Sequence, residues 1–227
     1  MALYITGDTH NTIDINKIEN FNGMCGDKLT RQDFLCVLGD WGAIWYGNER
    51  DDALLDEWES FPWTTLVIFG NHENYDAIAK YPFSHCFGGR VQFIRPHVIA
   101  LQRGEVYTIC GKKIFTFGGA QSIDKDYRIE GISWWPQEEP SNEDYDNGLN
   151  NLDKVNWEVD YIFSHTGDSK SNKSLYSNHS YSEPVSKYFD TIKEKLKYKH
   201  HYFGHHHCDN HIDKKNTVLY NRIVKLT

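Results

Sequence analysis

Side chains that can bind metals recur in this sequence directly after short apolar runs that end in Gly or Ser. They offer oxygen and nitrogen donors, and the set needs no thiolate. The candidate ligands are Asp8, His10, Asp40, Asn71, His165, His205 and His207. Because seven donors exceed what one tetrahedral ion binds, they favour two ions that share a bridging carboxylate.

The histidines are densest at 200–211, where the sequence reads HHYFGHHHCDNH and holds six of the twelve histidines. In isolation, such a tract is more often weak metal binding or solvated surface. In D-x-H and H-x-H, an extended backbone would place both outer side chains on one side, within reach of the same ion. By this reasoning His206, the middle histidine, points away from the ions and is structural.

The candidate ligands can meet only if the apolar runs are strands of one architecture. The runs are short and rich in Val, Ile, Phe and Tyr, which predicts buried strands. Helices are predicted at 50–60, 73–81 and 182–196, the last with Ser182 as a candidate cap and Pro184 in its first turn. This alternation predicts an α/β sheet, in which ligands bind beyond the carboxyl ends of the strands. All the candidate ligands lie at that end.

The middle of the chain follows a different pattern. Residues 91–118 contain strand runs without helices, and they predict a β-meander that completes a second sheet. Residues 119–156 are polar and aromatic with a weak helical pattern, and they predict a long, partly helical excursion over one edge. Without a repeat or a linker, the chain is predicted to be one domain over 1–227.

Composition narrows the class of protein. The 227 residues are 39% hydrophobic and 15% aromatic, enough for a packed core, and the net charge of −8 does not favour a broad nucleic-acid-binding face. Five scattered cysteines without a CxxC pair fit a reducing compartment. The N-terminal sequence lacks a signal-peptide pattern, and no apolar run approaches the ~18 residues of a membrane span. We therefore expect a soluble cytoplasmic protein.

The motifs GDTH, GD, GNHE, SH and GHHH, in this order between residues 7 and 207, resemble those of the calcineurin-like metallophosphoesterase superfamily. The stretches RGEVYTI, FGGAQSIDKDYR and WW are further similar to small bacterial and phage members. The resemblance implies an α/β fold, a two-sheet α-β-β-α sandwich. Two departures stand out: GDWGAIW replaces the common GD-x-x-D-R, and TGDSKS follows His165 instead of a Pro-rich turn.

The resemblance also implies a role for each candidate ligand. The ligands of the first ion would be Asp8, His10 and His207. Those of the second ion would be Asn71, His165 and His205, with Asp40 bridging the two. The implied cofactors are two divalent metal ions, with manganese first and iron, zinc, nickel or magnesium as alternatives.

The activity implied by the resemblance is hydrolysis of a phosphomonoester or phosphodiester, such as a small nucleotide-like molecule, by in-line attack of a metal-bridging hydroxide. His72 would act on the leaving oxygen as general acid or charge stabiliser. Further substrate contacts are possible from Arg128 and Arg103, which could grip a phosphate, and from Trp134, which could stack on a base. Surface salt bridges and core packing are the alternative interpretations of these three residues.

Two other functions remain open from the sequence. A metal-dependent nuclease acting on DNA or RNA would use the same ions, but it needs a basic groove, which the net charge disfavours. A non-catalytic binding scaffold is disfavoured because every candidate ligand position is filled. The expected partner is a small phosphoester substrate and not a membrane, and the oligomeric state is left open.

Overall fold

The structure is a computed structural model, and it describes residues 1–10, 12–175 and 183–227. The helices in these residues are α1 Asn16–Cys25, α2 Asp52–Ser60, α3 Tyr75–Ile78, α4 Asn142–Lys154, α5 Ser169–Leu175 and α6 Pro184–Lys193. The strands are β1 Leu3–Thr6, β2 Phe34–Leu38, β3 Thr64–Ile68, β4 Phe83–Cys86, β5 Gly89–Arg95, β6 Val98–Leu101, β7 Glu105–Ile109, β8 Lys112–Phe117, β9 Tyr161–Ser164, β10 His200–Phe203, β11 Asn210–His211, β12 Asn216–Val218 and β13 Val224–Lys225. Short 3₁₀ turns lie at Gly26–Lys28, Lys125–Tyr127 and Pro136–Glu138.

These strands form two mixed sheets. The order of the first sheet is β13-β1-β2-β3-β6-β5-β4, and β1, β2, β3 and β6 run parallel. The order of the second is β11-β12-β10-β9-β8-β7, and β12, β10, β9 and β8 run parallel. The strands that precede the candidate ligands are all among these parallel strands: β1, β2 and β3 in the first sheet, and β9 and β10 in the second.

Side-chain alternation along β2 shows how the layers are built. Leu35 and Val37 pack with Ile18 and Trp58 in a core between the first sheet and helices α1 and α2. Cys36 and the residues two positions before and after it face the opposite way, into a core shared with the second sheet. Successive strand residues point to opposite faces, so a strand that is buried on both sides is apolar throughout.

The helix layer on the other side completes the sandwich. Phe115 and Ile162 of the second sheet pack with Leu152 of α4 and Phe189 of α6 in a third core. The mixed α/β architecture with two sheets between helices agrees with the predicted α-β-β-α sandwich, which is confirmed.

The predicted β-meander at 91–118 is wrong. The chain crosses between the sheets within this stretch, so that β5 and β6 belong to the first sheet and β7 and β8 to the second. All four residues of Val98–Leu101 are buried, which suits the place of β6 between β3 and β5. Periodicity shows that a run is a strand, but it does not show which neighbour the strand pairs with.

The predicted helices are observed with shorter bounds. The 50–60 helix is α2, and the 182–196 helix is α6, which begins at Pro184. Ser182, the candidate cap, lies outside the described residues, and Glu183 precedes the helix. Within the excursion, 119–141 is mostly irregular, while α4 begins at a capping box in which the side chains of Ser141 and Asp144 bind each other's backbone amides.

Among the described residues, no helix has both the length and the apolar character that a bilayer crossing requires.

Candidate metal centre

The seven candidate ligands converge at one edge of the sandwich. They follow the carboxyl ends of β1, β2 and β3 in the first sheet and of β9 and β10 in the second. We call these residues the strand-end cluster: Asp8, His10, Asp40, Asn71, His165, His205 and His207. Its members come from both sheets, and the backbone amide of His205 donates to both carboxylate oxygens of Asp8, at 3.0 and 3.1 Å.

One group of donors in the cluster consists of His10, Asp40 and His207, whose ligand atoms all lie within 4.8 Å of one another. The Nε2 atom of His10 lies 3.4 Å from Oδ2 of Asp40. Asp8 borders this group, since its Oδ2 lies 3.9 Å from Nε2 of His207.

A second group consists of Asp40, His165 and His205, again with ligand atoms within 4.8 Å of one another. The Nε2 atom of His165 lies 3.2 Å from Oδ1 of Asp40 and 3.0 Å from Oδ1 of Asn71. The other ring nitrogen of His165 lies 3.0 Å from the carbonyl oxygen of Leu38, which directs Nε2 into the group. Asp40 thus belongs to both groups, with one carboxylate oxygen toward each.

The electrostatics of the cluster fit a bound cation. Asp8 and Asp40 are fully buried, and burial raises the pKa of Asp8. Burial opposes ionisation of Asp40 too, but the charge of His165 and hydrogen bonds from both histidines hold the pKa of Asp40 well below its usual range. Burial lowers the pKa of His10 and of His165, yet the carboxylates outweigh it and raise both to about 9. The protonated histidines supply positive charge beside the two carboxylates. Divalent ions would displace these protons and supply that charge instead.

Four members of the cluster have a left-handed backbone, which non-glycine residues rarely adopt. Their φ angles are 42° for His10, 46° for Asp40, 69° for His205 and 47° for His207. Each costs of order 1–3 kcal/mol and persists only where surrounding structure imposes it, and such residues are frequent at functional sites.

The extended H-x-H geometry assumed from the sequence is therefore wrong. The chain turns tightly at His205, where the amide of His206 donates to the carbonyl oxygen of Gly204 at 2.8 Å. The side chain of His206 is buried, and its Nε2 lies 2.8 Å from the amide Oδ1 of Asn172. His206 thus belongs to neither donor group, and the turn, not strand alternation, accounts for its contact with Asn172.

The glycines before the ligands serve mainly to leave space. A Cβ atom on Gly70 would lie 2.1 Å from Oδ1 of Asp40, and one on Gly204 would lie 2.6 Å from Oδ1 of Asp8. Only Gly39 also needs its conformational freedom, with φ at 90° and a Cβ that would meet His165 at 2.0 Å. A left-handed turn is thus required at Gly39, while close approach of a carboxylate explains Gly70 and Gly204.

His72 lies beside the cluster but in neither donor group. Its backbone amide donates to Oδ1 of Asp40 at 2.8 Å, and its Nε2 lies 3.1 Å from Nη2 of Arg128. Burial lowers the pKa of His72, and the nearby Arg128 lowers it further against the charge of Asp40. The ring is therefore neutral, and its Nε2 accepts a hydrogen bond from the guanidinium.

The three candidate substrate contacts are placed differently. Arg128 faces His72, and its Nε donates to the carboxylate of Asp124 at 2.9 Å. Arg103 donates to the hydroxyl of Tyr75 at 2.7 Å and to backbone carbonyls of the excursion, and it lines a separate pocket. The partly buried Trp134 lies under Lys125, 5.9 Å from Nζ to the ring centre, and does not line the clefts at the cluster.

Several contacts around the ligands were not foreseen from the sequence. Asp14 binds Nδ1 of His10 at 2.7 Å and accepts from the hydroxyl of Tyr220 at 2.8 Å. Glu73 accepts from the amides of Trp41 and Gly42, so it holds the loop after Asp40 that lacks the usual acid and arginine. The final residue of GNHE was the available signal for Glu73, whereas nothing local marks Asp14 or Tyr220.

Two clefts open at the cluster, and His72 lines both. The larger, of about 430 Å³, is also lined by Gln121, Ser122, Ile123 and Arg128. The smaller, of about 300 Å³, is lined by His10, Thr12, Ile13, Gly42, Trp45 and Tyr46. Both have the size of small-molecule sites.

Comparison with known proteins assigns this chain to a family. The calcineurin-like phosphoesterase family profile matches residues 1–209, and no curated protein matches the sequence. One crystal structure, 13% identical, aligns over 96% of this chain and 90% of its own with a TM-score of 0.51, which shows the fold alone. The crystal structure of a protein of unknown function, AQ665 from Aquifex aeolicus, is 18% identical over 73% of this chain and 80% of its own, but its TM-score of 0.33 is too low to show a shared fold. On the family match, which spans nearly the whole length, this chain belongs to the calcineurin-like phosphoesterase family.

Proposed function

We propose that this protein hydrolyses phosphoesters of small molecules with two divalent ions, manganese first among them, bound by the strand-end cluster. One observation carries the proposal: the carboxylate of Asp40 is shared by both donor groups. A two-ion centre needs such a shared ligand, because two cations held close together require negative charge between them.

The residues would divide between the ions as the resemblance to the family implies. Asp8, His10 and His207 would hold the first ion, and Asn71, His165 and His205 would hold the second. When bound, the ions supply Lewis acidity toward the phosphoryl oxygens and make water nucleophilic near neutral pH. Ligating histidines must be neutral, so we expect His10 and His165 to release protons as the ions bind.

Arg128 and His72 would act on the substrate. The planar guanidinium of Arg128 can donate two parallel hydrogen bonds to phosphate oxygens, and Asp124 already orients it. A phosphate bound there would compete with His72 for the N–H groups of Arg128. His72, which is neutral beside Arg128, would then be released, would take up a proton from water and would donate it, or a hydrogen bond, to the leaving oxygen.

The two clefts favour a diester as the substrate. A phosphodiester carries two substituents on its phosphorus atom, and two clefts open at the cluster, with His72 lining both. Trp45 and Tyr46 line the smaller cleft and offer aromatic faces on which a base could stack. We therefore propose a nucleotide-sized phosphodiester, in preference to nucleic acid, which the net charge of −8 disfavours.

The proposal is tested on metal-free protein reloaded with manganese, by metal stoichiometry and by rates on nitrophenyl phosphate, its bis-ester and single-stranded DNA. We expect two ions per chain in the parent protein and the highest rate on the bis-ester. Asp40→Asn should weaken both sites together, while Asp8→Asn should weaken mainly one, because only Asp40 belongs to both donor groups.

Asp33→Asn is the matched control. Asp33 is also a buried aspartate, but it precedes β2 whereas Asp40 follows it, and it binds the backbone at the opposite end of the strand. This variant should keep two ions and the parent rates. A single bound ion in the saturated parent would disprove the two-ion proposal, and a preference for single-stranded DNA would make the protein a nuclease.

A further inference from the structure

Asn71 poses an orientation problem in the strand-end cluster. A side-chain amide can bind a cation only through its oxygen, yet its oxygen and nitrogen ends have nearly the same shape. In the structure Oδ1 of Asn71 faces Nε2 of His165 in the second donor group at 3.0 Å. The Nδ2 end points the other way and donates to the hydroxyl oxygen of Ser122 at 3.0 Å.

Ser122 can accept this hydrogen bond because its own proton goes elsewhere. The Ser122 hydroxyl donates to Oε2 of Glu138 at 2.6 Å, and Oε1 of Glu138 accepts from the backbone amide of Trp135 at 3.3 Å. An ionised carboxylate only accepts, so these bonds run in one direction, from Asn71 through Ser122 to Glu138. Asn71, Ser122 and Glu138 are all buried, so water does not compete freely for these bonds.

We infer that Ser122 and Glu138 are positioning residues for the second metal site, because they hold the amide oxygen of Asn71 toward the ion. The inference rests on the proposed function in one respect, that Asn71 is a ligand. Both residues belong to the 119–156 excursion, and they lie 51 positions and more along the chain from Asn71. The excursion is then a part of the metal centre and not only a wall of the larger cleft.

Another asparagine, serine and glutamate form a second chain of hydrogen bonds, but the asparagine of this chain is not a candidate ligand. Asn172 donates to the hydroxyl of Ser186 at 2.8 Å, and Ser186 donates to Glu183 at 3.1 Å. The amide oxygen of Asn172 faces His206, which lies in neither donor group. Loss of the Ser186 hydroxyl therefore removes the same bonds without freeing the amide of a candidate ligand.

The test is manganese titration of metal-free variants, followed by calorimetry and by the electron paramagnetic resonance signal of the ion. Burial raises the pKa of Glu138 to about 7, so the titrations are made at a pH near 8, where its carboxylate is ionised. Ser122→Ala should weaken the second ion about 10–100-fold, as loss of a ligand-orienting partner usually does, and leave the first nearly unchanged. Glu138→Gln should act in the same direction, because a glutamine has one acceptor oxygen for the two donors from Ser122 and Trp135. Ser186→Ala, the matched control, should bind both ions like the parent.

A double-mutant cycle with Asn71→Asp separates orientation from general packing. A carboxylate presents an oxygen at either end, so it needs no orienting partner, and Ser122→Ala should then cost little further affinity. An equal loss from Ser122→Ala in the parent and in the Asn71→Asp variant, or an equal loss in Ser186→Ala, would overturn the inference. Failure of the proposed function would look different, since the parent itself would then bind fewer than two ions or fail to hydrolyse the esters.

Discussion

At the scale of single residues, Asp40 joins the loops that follow three strands. Its backbone carbonyl oxygen accepts from the amides of Thr9 and His10 at 3.0 and 2.8 Å. Its Oδ1 accepts from the amides of Asn71 and His72, both at 2.8 Å. These bonds fix the carboxylate before any ion binds, and the left-handed backbone of Asp40 is the strained conformation that they impose.

His72→Ala is predicted to keep both ions and lose much of kcat. The reason is that His72 lies in neither donor group, while its Nε2 is directed toward Arg128 and the larger cleft. The loss should reach roughly 10²–10⁴-fold for alkyl or ribosyl leaving groups and be smaller for nitrophenolate, which needs little protonation. Steady-state rates across a leaving-group series measure this.

The exposed His85 in β4 offers the control, and His85→Ala should match the parent. Equal losses across the leaving-group series would instead assign His72 to orientation of the phosphate. Loss of bound metal in His72→Ala would place this residue among the ligands.

At the scale of elements, the loop after β9 shows how a departure from the family pattern is accommodated. Within TGDSKS, one carboxylate oxygen of Asp168 accepts from the amide of Ser171 at the start of α5, at 2.7 Å. The other binds Lys193 of α6, whose ammonium also donates to Asn216 of β12 at 2.9 Å. The loop that carries His165 is thus tied to a helix and to a strand without a Pro-rich turn.

Asp168→Asn is predicted to lower the free energy of unfolding by about 3–5 kcal/mol at pH 7, because it leaves the buried ammonium of Lys193 without its carboxylate. Burial alone would raise the pKa of Asp168, but Lys193 reverses this and lowers it. A depressed pKa contributes stability above the unfolded value of 3.8, and this contribution is lost as the pH falls through the folded value. The difference between parent and variant should therefore shrink below about pH 4.

Urea denaturation between pH 3 and 8 measures this difference. Asp153→Asn is the control, because Asp153 and Lys195 are both largely exposed at 78% and 61%, and an exposed pair contributes at most about 1 kcal/mol. A difference for Asp168→Asn that persists unchanged at pH 3 would show that packing, and not charge, holds the loop.

At the scale of the whole molecule, the strand-end cluster joins the two sheets. Asp8, Asp40 and Asn71 follow strands of the first sheet, while three of the four histidines in the cluster follow β9 and β10 of the second. The core between the sheets is apolar, so ions at this edge would add a polar link where the two layers meet.

Ion binding is therefore predicted to raise the thermal stability of the protein. Manganese at 100 times its dissociation constant should add about 2.7 kcal/mol per site, which corresponds to roughly 5–10 °C in Tm for a protein of this size. Differential scanning calorimetry with and without manganese measures the shift. Asp40→Asn should lose most of it, and a parent Tm that is insensitive to manganese would contradict the assignment of the cluster as a metal centre.

Much of the architecture follows from local features of the sequence. Runs such as 34–38 and 64–68 are buried at every position. A strand that is covered on both faces needs largely apolar side chains throughout, and these runs supply them. A donor that directly follows such a run lies at the carboxyl end of a strand. The carboxyl ends of neighbouring parallel strands lie at the same edge of the sheet. The gathering of the seven candidate ligands at one edge was predictable for this reason, whereas the two-sheet sandwich was implied by the resemblance to the calcineurin-like metallophosphoesterases.

Only the tertiary structure decided how those donors are held. The left-handed turns at His205 and His207 arise because the loop must fit against Asp8, and an H-x-H pattern alone favours the extended geometry. The contacts of Ser122 and Glu138 with the amide of Asn71 join segments 51 and more positions apart, where residue periodicity carries no information. The division of 91–118 between the sheets was hidden for the same reason, since strand pairing depends on partners distant in the chain.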